Sequence, residues 1–185
     1  VDTQFTGRGR LPQRPITPYL EEFPKHGVSF EYNNTMPFST NGKLKGGKFY
    51  VDGGISSQFI TGLLFALPLL EADSEIILTS HLESKPYVDI TLGTLREHGC
   101  QVEETENGYF VKGGQRYKPF SGRVEGDYSQ AAFFKVANSL GSDIDIAGLS
   151  EKSFQGDKKI VEICDKIVYN KNGSLQPFDL DCSDI

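Results

Sequence analysis

No apolar run in the 185 residues reaches transmembrane length. The longest, Phe59 to Leu70, is closed by Glu71 and Asp73, and no signal peptide is recognisable. An excess of basic charge is also missing. The formal net charge of −6 excludes nucleic acid and acidic membranes as the main partners, while leaving room for a local basic pocket. Cysteine is scarce: Cys100, Cys164 and Cys182 are far apart, odd in number and outside any CxxC spacing. That usage fits reduced, structural thiols of a cytoplasmic protein. His26, His81 and His98 form no metal-ligand set. Gly7-Arg8-Gly9 lacks the third glycine and the preceding strand that a nucleotide loop needs.

What is present is ordinary for a globular chain: 37% hydrophobic and 24% charged residues, enough for one or two small domains. The chain opens at Val1 and ends at Asp184-Ile185, and it is expected to be a piece of a longer protein.

Read in order, Thr6 to Gln13 is a Gly- and Arg-rich loop. A helix is predicted over 17–26, with Pro24 late in it and Gly27 as its stop. Strands are predicted at 28–32, 37–40 and 48–52, with Asn41-Gly42 as a turn. A largely buried helix follows over 56–70, since Phe59, Ile60, Leu63, Leu64, Leu67 and Leu70 give it a wide apolar face. Beyond it come a strand at 75–79, a helix at 88–98, and strands at 100–104, 109–112 and 123–125. Helices at 129–140 and 157–168, with a strand at 143–147 between them, complete the reading.

An internal repeat runs through this pattern. His26-Gly27-Val28 and His98-Gly99-Cys100 stand 72 residues apart, and so do Gly54-Ile55-Ser56-Ser57-Gln58 and Gly126-Asp127-Tyr128-Ser129-Gln130. One unit reads strand, helix, strand, helix, strand, strand. The helices are too apolar to face water, so the fold class is α/β (α+β): repeated βαβαββ units with helices packed inward and sheets outside.

Four groups of residues carry candidate chemistry. Ser56, Ser57 and Gln58 follow a strand and a Gly-Gly turn, at a helix N-terminus where free amides and the macrodipole favour an anion. The alternative is a polar cap on a core helix, with Ser56 or Ser57 as the capping hydroxyl. Ser84 and Tyr87 occupy the matching place before the next helix; Ser84 suits a phosphate and Tyr87 the face of a small ring. The alternative there is a plain loop with a helix-starting proline. Arg14, before Pro15, offers a guanidinium fork to a phosphate or carboxylate, or is a solvated loop arginine. Asp127 reads as the cap of the helix after it.

The ordered set Arg14-Pro15, Gly53-Gly54-Ile55-Ser56-Ser57-Gln58-Phe59, Ser84-Lys85-Pro86-Tyr87-Val88-Asp89-Ile90-Thr91 and Glu125-Gly126-Asp127-Tyr128-Ser129-Gln130-Ala131-Ala132 resembles the 5-enolpyruvylshikimate-3-phosphate synthases, the 3-phosphoshikimate 1-carboxyvinyltransferases. The resemblance runs over essentially the whole chain but only the middle of the family. It implies two similar domains of three units each, with ligands in the cleft between them. Residues 1–125 would belong to the shikimate-phosphate-binding domain, and residues 126–185 would begin a further unit of the second domain. It also implies transfer of the enolpyruvyl group of phosphoenolpyruvate to the 5-hydroxyl of shikimate 3-phosphate, with release of phosphate and no cofactor.

By the same resemblance, Ser56, Ser57 and Gln58 hold shikimate 3-phosphate, Gln58 also touches phosphoenolpyruvate, Ser84 binds the substrate phosphate, Tyr87 lies beside the ring, and Arg14 binds phosphoenolpyruvate. Arg10 is given no role. The family's acid–base residue follows an Ile-Pro pair that lies outside this sequence, so no catalytic residue is expected within it, and this chain alone is expected to be inactive. Two rivals remain: a transferase of the same fold acting on a nucleotide-sugar acceptor, and a non-catalytic binding module.

Overall fold

The computed structural model describes residues 2–166. Three strands, β1 (Thr3–Phe5), β2 (Val28–Glu31) and β3 (Phe38–Gly42), make an antiparallel sheet with β3 in the middle. β1 lies ahead of the Gly-Arg loop and was not legible in the sequence. Asn41-Gly42, expected as a turn, instead continues β3, where both residues pair with the start of β2.

Between β1 and β2 a short 3₁₀ turn, Leu11–Gln13, precedes helix α1 (Thr17–Glu22), which has Pro18 in its first turn. The single helix expected over 17–26 is an α segment followed by a 3₁₀ turn, Phe23–His26. Pro24 explains the change, because it brings no N–H to continue an α ladder. Gly27 then closes the turn in the left-handed conformation.

The next six elements form one complete βαβαββ unit. They are β4 (Lys48–Val51), α2 (Ser57–Ala66), β5 (Ser74–Leu78), α3 (Lys85–Glu97), β6 (Val102–Thr105) and β7 (Gly108–Val111). The sheet order is β4-β5-β7-β6, with β4 parallel to β5 and the remaining pairs antiparallel. α2 changes to a 3₁₀ turn at Leu67–Leu69, where Pro68 interrupts the ladder. α3 begins three residues before the predicted start, since Pro86 fits a first helical turn.

Both helices cover the same face of this sheet. Phe49, Val51, Ile76, Tyr109 and Val111 from the strands pack against Ile60, Leu63, Leu64 and Leu67 of α2 and Val88, Leu92 and Leu95 of α3. Burying each such side chain contributes about 2 kcal/mol relative to leaving it in water. Thr61 and Thr91 join the two helices by a hydroxyl–hydroxyl bond of 3.2 Å.

Among the described residues, the outer edge of β4 is met by side chains rather than by another strand. The buried carboxylate of Glu22 accepts from the Tyr50 amide at 3.0 Å, and His26 donates from Nε2 to the Lys48 carbonyl at 3.1 Å while stacking on Phe49. Its repeat partner behaves alike: His98 donates from Nδ1 to the Lys118 carbonyl at 3.0 Å, and Gly99 after it is again left-handed. The 72-residue offset thus marks a recurring way of tying a helix end to the following segment.

α4 (Tyr128–Ser139), a 3₁₀ turn at Gly156–Lys158 and α5 (Lys159–Lys166) follow. The end of the helix predicted over 157–168 lies outside the described residues, as does Cys182. Two predicted strands are absent among the described residues: 123–125 and 143–147 are irregular. In the second case the Asn138 side chain takes the place of a neighbouring strand, since it accepts from the Ile144 amide at 2.9 Å and donates to the Ile144 carbonyl at 2.8 Å. α4 leaves Phe133 74% exposed, and Leu140 just past its end is 76% exposed. Among the described residues no helix is long and apolar enough to cross a membrane.

Candidate functional site

β4 and β5 run parallel with Val51 opposite Leu78, so the connections leaving their carboxyl ends lie side by side. Asp52 to Ser56 leads into α2, and Thr79 to Ser84 leads into α3. Every candidate serine stands on one of these two connections or on the helix turn that follows.

Ser56 is the cap of α2: its backbone is extended and its Oγ accepts from the Gln58 amide at 3.3 Å. That choice leaves Ser57 and Gln58 in the first helical turn, with Gln58 exposed and no acidic residue there to offset the positive helix end. Asp52 organises the turn before it. Its carboxylate accepts from the Gly54 amide at 2.8 Å and from the Ser80 hydroxyl, and Ser80 Oγ also accepts from the Gly54 amide at 3.1 Å. These bonds, the Ser80 hydroxyl first, hold the Asp52 carboxyl below its usual value.

The second connection carries Ser84 in a left-handed conformation, φ 57° and ψ 38°, where few non-glycine residues sit. Its hydroxyl does not cap α3. It lines a cavity of about 610 Å³ together with His81, Leu82, Lys85, Glu104 and Tyr109. Lys85 is paired with Asp89 at 2.6 Å and lies 3.6 Å from Glu104, so its ammonium is held charged. One turn on, Tyr87 is 52% exposed and its hydroxyl donates to Asp157 at 3.4 Å. The negative charge of Asp157 and partial burial push the Tyr87 phenol up.

The structure therefore joins the turn that leads into Ser56-Ser57-Gln58 to the loop before Ser84. It does not gather all six candidates around one cavity: Ser84 lines the cavity described above, while Arg14, Ser56, Ser57, Gln58 and Tyr87 do not. Arg14 is exposed at the exit of the first 3₁₀ turn, and among the described residues its guanidinium has no bonded partner. Asp127 caps α4 as expected, accepting from the Ser129 amide at 2.8 Å. The turn ahead of it is anchored by Gln155, which accepts from the Tyr128 amide and donates to Glu125 and to the Gly126 carbonyl.

Asp52 and Ser80 are what sequence reasoning missed. The available signal was positional: an aspartate at the last step before the Gly-Gly turn, and a serine just past the neighbouring strand.

Residues 1–172 match the family described as EPSP synthase (3-phosphoshikimate 1-carboxyvinyltransferase). Among curated relatives, the 3-phosphoshikimate 1-carboxyvinyltransferase of Clostridium perfringens (strain ATCC 13124) is 45% identical over 177 residues, covering 92% of this chain and 42% of the relative. The protein of that name from Clostridioides difficile (strain 630) is 48% identical over 166 residues, covering 89% and 38%. The chain thus spans about two fifths of the length of these relatives. Among solved structures, the EPSP synthase of Acinetobacter baumannii aligns with a TM-score of 0.69 at 22% identity, over 88% of this chain and 36% of that one, which shows the shared fold.

Proposed function

The chain belongs to the EPSP synthase family, and from that premise we propose that the intact protein moves the enolpyruvyl group of phosphoenolpyruvate to the 5-hydroxyl of shikimate 3-phosphate, releasing phosphate. The observation that carries this reading is the fastening of two polar loops at the carboxyl ends of neighbouring parallel strands. It sets Ser56, Ser57 and Gln58 beside the loop of Ser84 at a helix end suited to an anion.

Within this reading Ser56 can serve two purposes at once. Its oxygen accepts from Gln58 and its O–H remains free to donate to a ligand oxygen. Ser57 and Gln58 hold the rest of the acceptor, with Gln58 also reaching phosphoenolpyruvate. Ser84 takes the acceptor phosphate, and Tyr87 lies beside the ring. Arg14, whose guanidinium is uncommitted among the described residues, binds phosphoenolpyruvate. We place residues 1–125 in the acceptor-binding domain and 126–185 at the start of a further unit of the second, with the proton-transfer residues outside this sequence. The free thiols of Cys100 and Cys164 suit a cytoplasmic enzyme.

The test is calorimetry on the intact protein. Shikimate 3-phosphate binds to the wild type, and Gln58→Ala and Ser84→Ala each weaken it. Normal binding in both variants would sink the assignment. Competition by a nucleotide-sugar acceptor separates the first rival, and a turnover assay for released phosphate separates the non-catalytic module.

A further inference from the structure

Asp52, Ser80 and Gly54 form a closed triangle of hydrogen bonds between two connections that are 26 residues apart in sequence. Two further contacts tighten the same junction. The Glu83 amide donates to the Gly53 carbonyl at 3.2 Å. Gly53 is buried so closely against the other loop that a Cβ on it would stand 2.8 Å from the His81 carbonyl oxygen and 2.9 Å from Leu82 Cα. On one side the junction leads within four residues to Ser56, Ser57 and Gln58, and on the other within four residues to Ser84. Neither Asp52 nor Ser80 belongs to the helices that carry those groups.

We propose that Asp52 and Ser80 are positioning residues: their bond locks the Ser-Ser-Gln turn in register with the Ser84 loop, so that the acceptor's anionic group meets both halves of its subsite already assembled. The inference rests on the function proposed above. It assigns Asp52 no contact with substrate. Its carboxylate accepts from the Gly54 amide on its own loop and from the Ser80 hydroxyl on the other, so it acts by tying the two loops together. A binding constellation has to be held close to its productive geometry by the residues behind it, so a loop free to shift by an ångström or so weakens binding with every contact side chain still present.

The test uses the intact protein with Asp52→Ala, Ser80→Ala and the conservative Asp52→Asn, which keeps an oxygen for both donors. Asp52→Ala and Ser80→Ala raise KM for shikimate 3-phosphate roughly tenfold and KM for phosphoenolpyruvate, which of this turn only Gln58 reaches, by a smaller factor of about three, with kcat within about twofold. Asp52→Asn recovers most of the loss. Equal rises in KM for both substrates, no change at all, or Asp52→Asn as poor as Asp52→Ala would each overturn the proposal. Hydrogen exchange supplies an arm that needs no ligand: in Ser80→Ala, segments 53–58 and 81–86 lose protection together, and loosening of only one overturns the clamp. If the wild type neither binds nor turns over shikimate 3-phosphate, the functional reading fails alone, and the exchange result still decides whether the two loops are fastened.

Discussion

The hydroxyl of Tyr19 donates to the carbonyl of Phe59 at 3.0 Å, and a Cβ placed on Gly62, one turn further along α2, would stand 2.2 Å from that hydroxyl. The ring is held by stacking on Phe23 and by an edge contact with Phe59. Two effects compete when Gly62 becomes alanine. The helix gains about 1 kcal/mol of propensity at an exposed position. The Tyr19 bond, worth about 1 kcal/mol, is displaced with its ring. Gly62→Ala alone is therefore expected to be neutral to destabilising by about 1 kcal/mol. In a Tyr19→Phe background, with the hydroxyl gone, the same change becomes stabilising. Denaturant midpoints of the four proteins of this cycle provide the measurement, and the absence of coupling would show that α1 does not constrain α2 here.

Tyr19 also sets an alkaline limit. Burial pushes its phenol from 10.0 up to about 12. The folded chain therefore keeps the neutral form where the unfolded chain has already ionised. The contribution is fully present below pH 10 and is lost as pH rises from there through about 12. Unfolding midpoints measured at pH 9, 10.5 and 11.5 should fall across that window, and Tyr19→Phe should make the fall shallower. An identical slope in the variant would place the alkaline loss on the other tyrosines.

Two glycines of the same segment should respond in opposite ways. Gly108 opens β7 with φ at +149°, and a Cβ there would lie 1.9 Å from the Ile76 carbonyl oxygen, inside the sheet. Gly108→Ala is expected to cost about 3 kcal/mol or more, because backbone must move at the end of the β5–β7 ladder, where Gly108 pairs with Ile77. Gly114, at φ +70°, has open space around it. Asparagine tolerates that conformation, so Gly114→Asn should stay within about 1 kcal/mol of the parent. Urea midpoints of both variants check the contrast.

Much of this arrangement was legible because periodicity and punctuation agree along the middle of the chain. The apolar spacing from Phe59 to Leu67 and the strand-like 48–51 and 74–78 segments each have one dominant reading, and the βαβαββ unit follows from their order. Legibility fails where a side chain replaces a ladder. Asn138 satisfies the Ile144 backbone, so the alternating run at 143–147 never needs a sheet. It fails again where pairing is non-local: β1 is three exposed residues whose only reason to be extended is β3, some 35 residues away. At the candidate site the capping serine and the helix end were readable from Gly53-Gly54-Ile55-Ser56. The junction through Asp52 and Ser80 was not, since it exists only once β4 and β5 lie parallel.

That junction makes its own acid prediction. Asp52 is ionised when it accepts from Ser80 and Gly54, and these two bonds hold its carboxyl below 3.8. A carboxyl depressed on folding contributes stability that is present above the unfolded value and is lost as pH falls through the folded one. The Gly54 amide reports the ionisation directly, because it donates to the carboxylate. Its chemical shift should therefore titrate with a midpoint below 3.8 in the parent. Ser80→Ala removes the larger cause and leaves the backbone donor, so the midpoint should move up toward the ordinary value without fully reaching it. Asp127 is the internal control: its carboxyl is also depressed, but by Ser129 and the backbone at the start of α4, and the Ser80 change should leave it where it was. A Gly54 midpoint unmoved by Ser80→Ala would mean that the carboxylate is held by its own turn alone. The two loops would then be joined by the Glu83–Gly53 backbone bond and not by the Asp52 side chain.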